Sequence, residues 1–381
     1  MRTVYDLLVI GAGPAGSACA RRAAGLGLEC LVLERSFFPR TKPCAGGLTS
    51  NAVSRLDPEA SALFRDEASS VEIGLGQEAS LVWREPGPVV ATVNRRDFDS
   101  YLAERAGAAG SRFEFGAAVR AIDVDEDVVT VGARGREWSG RYVVAADGAG
   151  GVSRRAVGLP DFRQFGAAYV RAFPPTADAL LPWTGRVLFD LAAVRGGYGW
   201  IFSKQDHLNV GICVGRPLAP ALLTVLDAFV STRGFAGWRL EGPLAGRVPA
   251  RSRKAPVATG RVLFAGDAAG LVSPATGEGI SHALSSGCEA ADAVARALRS
   301  GADAADIYAE AVRLRVAPAV DRLTRFGRLV YAIGPRGSRR IARSRLLTSL
   351  AARLGPREAL GRSGGELLIR EGDSWRTLLS A

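Results

Sequence analysis

A chain of 381 residues, 48% of them hydrophobic, is long enough to bury a large core in two domains or in one domain with insertions. Its 49 basic against 38 acidic residues leave a net charge of +11, but no aromatic-interleaved or helix-turn-helix pattern accompanies that charge, so nucleic acid is set aside as a partner. Five cysteines without a CxxC pair argue against a disulfide framework or a metal site. No uncharged run reaches the roughly 18 residues of a membrane span, and the first strand begins almost at Met1 without a signal-peptide core, so a cytoplasmic protein is expected.

The chain opens on an apolar run, Leu7-Leu8-Val9-Ile10, that predicts a buried strand. Gly11-Ala12-Gly13-Pro14-Ala15-Gly16 follows, then an alanine-rich segment that predicts a helix through Leu26, then a second apolar run, Cys30 to Leu33, closed by Glu34. Each part suits a bound dinucleotide. Gly11 permits a tight turn, Gly13 lets the backbone approach a pyrophosphate, and Gly16 lets the helix pack closely on the strand. The helix N-terminus offers free N–H groups to phosphate, and the acid after the second strand suits a ribose hydroxyl.

Pro39 to Leu48, with two prolines and adjacent glycines, predicts a loop that can fold back over the cofactor. Cys44 lies in it beside Arg40 and Lys42, cations that favour a thiolate; Cys19 and Cys30 fit core positions. Val71 to Ile73 and Ala79 to Arg84 predict strands of a second sheet, and Arg95 opens a helix with Phe98, Leu102 and Ala106 on one face. Phe113 to Ile122 and Val128 to Val131 predict strands of the first domain. Tyr142 to Ala146 then predicts a buried strand ending in Asp147-Gly148-Ala149-Gly150-Gly151, which suits a ligand at the carboxyl edge of a parallel sheet.

From Gln164 to about Gly215 the texture turns aromatic and β-rich. Arg186 to Leu191, Tyr198 to Phe202 and Leu208 to Val214 predict three antiparallel strands, with Tyr198, Trp200 and Phe202 on one face and Gly199 and Ile201 on the other. That aromatic face suits either a long apolar ligand or ordinary sheet packing. Arg261 to Ala265 predicts another buried strand, followed by Gly266-Asp267, the turn Gly277-Glu278-Gly279 and a helix from Ile280. Neither His207 nor His282 stands out as an acid. Between Ala311 and Arg362 there are thirteen arginines and only two acids, Asp321 and Glu358, which gives a window charge of +11. This basic, leucine-containing stretch fits either a helix on an anionic membrane surface, peripheral to its inner face, or a solvated face.

Taken together, GAGPAG at 11–16, Glu34, KPCAGGL at 42–48, Arg95 in RRDFDSYL, ADGAG at 146–150, GYGWIFSK at 197–204 with NVG at 209–211, and GDAAGLVSPATGEGI at 266–280 resemble the geranylgeranyl reductase family. That family lies within the flavoprotein superfamily that includes para-hydroxybenzoate hydroxylase. The resemblance implies an α/β fold: a Rossmann-like FAD-binding domain (1–70, 93–160 and 255–305), an inserted antiparallel-sheet substrate domain (71–92 and 161–254) and a basic helical C-terminal region (306–381). It implies FAD, a polyprenyl lipid or prenyl diphosphate as substrate, and NADPH or a ferredoxin-type donor as external reductant. By position, Ala15 and Gly16 meet the pyrophosphate beside the cofactor turn of Gly11 and Gly13, Glu34 the adenosine ribose, Val119 the adenine by its backbone, and Arg95 the ribityl–phosphate region. Cys44, Ala45 and Gly47 lie near the isoalloxazine, Asp267, Gly279 and Ile280 hold the ribityl and ring, and Tyr198, Trp200 and Phe202 line a lipid tunnel.

The implied reaction is hydride transfer from reduced flavin N5 to an alkene with coupled protonation, for which Cys44 is a candidate for positioning or proton delivery. Three positions depart from the family pattern: Ala45 for a glycine, Ser203 for a proline and Gly151 for a serine. The alternative is an FAD-dependent monooxygenase or halogenase. Halogenases of the superfamily carry WxWxIP, where this chain has Tyr198 and Phe202-Ser203.

Overall fold

A computed structural model gives the fold of residues 3–74, 79–235, 237–250, 255–273, 276–322, 324, 366–371 and 374–379. The apolar runs become the parallel strands of the first sheet, in the spatial order Val262–Phe264, Arg136–Ala145, Val4–Ile10, Cys30–Glu34 and Arg112–Phe115. Leu7, Leu8, Val9, Val32, Val143, Val144 and Leu263 are buried because the sheet is covered on both faces. One cover is helical: Pro14–Gly25 packs between Arg95–Ala108 and Ile280–Ser300. The strands Ala121–Val124 and Val129–Ala133 extend the sheet through antiparallel pairing to Arg136–Ala145.

Among the described residues the second sheet has nine strands. At its centre Gly197–Ser203 and Leu208–Val214 are buried along their whole length. Period two sends Tyr198, Trp200 and Phe202 to one core and Ile201 to the other, which it shares with Ile212 of the neighbouring strand and with Leu226 and Phe229 of the helix Leu222–Thr232. Ser70–Gly74 and Ala79–Arg84 belong to this sheet, but one pair departs from the antiparallel expectation: Ser70–Gly74 runs parallel to Arg186–Asp190. These two strands come from distant passes of the chain, so no hairpin dictates their direction. A small third sheet of Gly47–Thr49, Val90–Val93 and Phe64–Ala68 carries the end of the Cys44 loop.

Two further expectations are corrected. Residues 366–371 and 374–379 are not helical; they form a hairpin whose first strand pairs with Ala79–Arg84. Val119 is not in a strand: Gly116, at φ +75°, turns the chain out of Arg112–Phe115, and Val119 lies in the connection before Ala121–Val124. Most of the arginine-rich window lies outside the described residues. Among those described, no helix is long and apolar enough to cross a membrane.

Candidate active site

Four parallel strands end at one edge and deliver Gly11, Glu34, Asp147 and Asp267 to a single cavity of about 820 Å³. Gly11 has φ +96°, and a Cβ there would come within 2.6 Å of the Ala146 carbonyl oxygen, so only glycine makes this turn. Gly13 is open except for the Arg40 guanidinium, 3.7 Å from where its Cβ would be. The helix that follows has Pro14 at its first position and no side-chain cap, which leaves the N–H groups of its first turn for a ligand. Gly13 and Ala15 line the cavity; Gly16 does not. A Cβ on Gly16 would overlap the Gly11 carbonyl, so its place is behind the wall, in the contact of helix with strand.

Glu34 is only 4% exposed. One carboxylate oxygen accepts from Ala12 N at 2.7 Å and the other from Ser36 N at 2.9 Å, so the acid is oriented by the glycine turn itself. Arg40 spans from Glu34 (3.9 Å) to the buried Asp99 (3.1 Å), and Asp99 also receives Arg95 in two bonds of 2.7 and 2.9 Å. Burial works against the Arg95 charge, but Asp99 and the Cys44 sulfur outweigh it and hold the guanidinium charged. Arg95 is therefore committed to Asp99 and Cys44, and Arg40 is the cation over Gly13. Val119 also faces the cavity, beyond Glu34.

At the opposite end Asp267, Gly279 and Ile280 line the cavity where the helix Ile280–Ser300 begins. Burial raises the pKa of Asp147, although bonds from the Ser153 backbone N (3.0 Å) and hydroxyl (2.7 Å) favour its ionised form. A Cβ on Gly151 would overlap the Asp147 carboxylate where it lies, so a side chain there would require that carboxylate to move. These features fit FAD: an uncapped helix start under a cation for the pyrophosphate, a braced acid for the ribose, and a second helix start, with glycine at its cap, for the ring.

The cavity continues into an apolar half. Tyr198, Trp200 and Phe202 form its wall with Phe189 and Leu191, and Val71 and Ile73 close it from the neighbouring strand. The rings interlock: Phe189 meets Phe202 edge-on with centroids 5.3 Å apart, and Tyr198 lies 6.0 Å from Trp200. The NVG triplet serves this wall. A Cβ on Gly211 would overlap the Trp200 indole, and the Asn209 carboxamide accepts the indole N–H at 2.7 Å.

Cys44, Ala45 and Gly47 line the junction of the two halves. Two cations distant in sequence bear on Cys44: Arg95, from the helix Arg95–Ala108, and Lys204, at the end of the aromatic strand. Gly46 needs its left-handed φ of +72°, and a Cβ on Gly47 would approach the Phe202 ring to 2.6 Å, which explains the paired glycines of the motif. Lys204 is the group that sequence reasoning passed over. It is 3% exposed, and burial pushes it down to about 7, against the pull of Cys44 and Asp66. Strand parity held the signal: residue 204 falls on the same face as 198, 200 and 202.

Comparison with known proteins agrees with this geometry. Residues 4–181 match the family described as FAD binding domain. A Mycobacterium tuberculosis protein named menaquinone reductase is 33% identical over 315 residues, which cover 75% of this chain and 76% of that protein. A Methanopyrus kandleri protein named digeranylgeranylglycerophospholipid reductase 1 is 32% identical over 74% of this chain and 78% of its own. Among solved structures, a geranylgeranyl bacteriochlorophyll reductase-like protein from Thermoplasma acidophilum superposes with a TM-score of 0.80 at 23% identity, covering 90% of this chain and 91% of its own. The flavin-dependent brominase Bmp2 shares the fold at a TM-score of 0.74 and 21% identity, covering 92% of this chain and 93% of its own. An FAD-dependent oxidoreductase is what fold and site define, and the chain belongs to the geranylgeranyl reductase family of that class.

Proposed function

We propose that this protein reduces carbon–carbon double bonds in a polyprenyl chain. The observation that carries the reading is the continuity of one cavity, polar and anion-binding at the glycine turn, apolar and aromatic beyond the Cys44 loop. FAD, when bound and reduced, supplies a hydride. The chain's own residues do the rest. Tyr198, Trp200, Phe202 and Phe189 sheathe an isoprenoid and exclude water, which matters because an isolated alkene accepts hydride poorly unless protonation is closely coupled to it. Cys44 stands at the junction, where its Sγ is the candidate for positioning the alkene or for delivering the proton. In this reading the discontinuous FAD unit is 1–70, 93–160 and 255–305, and NADPH or a ferredoxin-type carrier restores the reductant. The arginine-rich window from Ala311 to Arg362 brings the protein to an anionic membrane surface.

The test is anaerobic: the flavin of the purified protein is reduced with dithionite, and geranylgeranyl diphosphate or a menaquinone is added. Flavin reoxidation with a mass gain of two hydrogens per bond is expected for one of them, and the arm that reacts identifies the headgroup. Flavin that stays reduced with both until air is admitted would refute the reading and favour an oxygen-dependent hydroxylase or halogenase. Cys44→Ala is expected to retain FAD and to slow that reoxidation by about 100-fold, the usual contribution of a positioned acid. An unchanged rate removes Cys44 from proton delivery.

A further inference from the structure

Lys204 is a lysine buried without an ion pair to any described carboxylate. It lies where the strand Gly197–Ser203 turns toward Leu208–Val214, and its own N–H donates to the His207 carbonyl at 2.8 Å. Its Nζ donates to two backbone oxygens, Ala45 O at 2.8 Å and Val93 O at 3.0 Å. These carbonyls belong to different pieces of chain that are themselves joined, since Val93 N donates to Gly46 O at 2.8 Å. The approach is close: a Cβ on Gly46 would overlap Val93 O and lie 3.1 Å from the Lys204 Nζ. A buried ammonium is costly unless its position is needed or its donors are all used.

The same hairpin holds the preceding carbonyl as well. Asn209, 4% exposed, donates from Nδ2 to Cys44 O at 3.2 Å while its Oδ1 takes the Trp200 indole N–H. Two consecutive carbonyls of the Cys44 loop are therefore turned toward the aromatic sheet. Peptide groups are planar and trans, so a carbonyl fixed on one side fixes the next N–H on the other. For the Ala45–Gly46 peptide that N–H is Gly46 N, and it donates to the Cys44 sulfur at 3.3 Å. The line of contacts runs from Lys204 Nζ to Ala45 O, through one rigid peptide, to Cys44 Sγ.

We propose that Lys204 is a positioning residue: by holding the Ala45 carbonyl it sets the plane of the Ala45–Gly46 peptide, and that peptide's N–H aims the Cys44 sulfur into the junction of the cavity. Asn209 supports the same loop and links it to Trp200, so the groups that grip the isoprenoid and the group beside the reacting carbon share one frame. The consequence for catalysis rests on the prenyl-reductase reading; the effect on the Cys44 sulfur does not.

The test uses the FAD-loaded full chain and Lys204→Met, which keeps an unbranched side chain one heavy atom shorter and removes its donors, with Lys204→Gln as a second variant that restores an N–H donor. Alkylation of Cys44 by iodoacetamide, followed on its peptide by mass spectrometry, reads the sulfur without any substrate. In K204M that rate is expected to change about fivefold or more, and single-turnover reoxidation by the reactive prenyl compound to fall about tenfold with its dissociation constant within about twofold, the pattern of a misaimed group rather than of lost binding. K204Q is expected to fall between K204M and the unsubstituted protein on both readouts. Unchanged alkylation in K204M overturns the proposal. So does loss of FAD and of cooperative unfolding in both variants, because Lys204 is then a staple of the fold. If the unsubstituted protein reduces no prenyl compound, the prenyl reading fails, and the alkylation rates alone still decide the role of Lys204.

Discussion

Gly16→Ala is expected to yield a protein that carries no flavin. Its Cβ would overlap the carbonyl oxygen of Gly11 and lie 3.2 Å from a Val9 methyl group, both on the strand and turn that start the fold. Neither neighbour is the free end of a flexible side chain. The helix Pro14–Gly25 would have to lift off the sheet, and with it the N–H groups that face the phosphate site. Overpacking against backbone costs about 3 kcal/mol or more, and the displaced helix also packs against Arg95–Ala108 and Ile280–Ser300. A control sits on the same helix. A Cβ on Gly25 would meet nothing within 4 Å, so Gly25→Ala is expected to keep full flavin and to gain up to about 1 kcal/mol of stability from helix propensity. Flavin absorbance per chain and thermal unfolding of both variants check the pair. Stoichiometric flavin in Gly16→Ala would show that the close contact is not what holds the helix start in place.

The contrast between these two glycines shows what could be read from the sequence. Gly11, Gly13, Gly16 and Glu34 are local in the chain, so the spacing alone located the turn and the acid, and the alternation of Tyr198, Trp200 and Phe202 placed them on one face. Contacts between distant segments were not legible in that way. Arg95 and Lys204 reach Cys44 from 51 and 160 residues away in sequence, whereas the local cation Arg40 turns to Glu34 and Asp99 instead. The C-terminal hairpin is a similar case. Its first strand is completed by Ala79–Arg84, almost three hundred residues earlier, and the arginines before it say nothing about that pairing. Gly151 is a third case: a Cβ there would meet the Asp147 carboxylate as it lies, a contact that the spacing of the motif does not show.

The stability of the protein is expected to rise with pH through the neutral range, and Lys204 is the reason. Burial lowers its pKa from 10.5 to about 7. Between those values the unfolded chain binds a proton at this residue and the folded chain does not, so unfolding takes up a proton and the folded state gains about 1.4 kcal/mol per pH unit. Below about pH 7 both states are charged and the full cost of the buried ammonium is present; above about pH 10.5 both are neutral and it is gone. Other groups titrate over the same range, so the informative quantity is a difference. Urea unfolding of the unsubstituted protein and of Lys204→Met, between about pH 6 and about pH 9.5, should give stabilities that diverge by a few kcal/mol in favour of the unsubstituted protein as pH rises. Two parallel curves would mean that the carbonyls of Ala45 and Val93 keep the ammonium charged throughout, since hydrogen bonds to a charged form favour it. In that case the anchor of the Cys44 loop keeps its charge at every working pH. Divergent curves mean that it becomes an amine near neutrality, and an amine still has two N–H donors for the two carbonyls it holds.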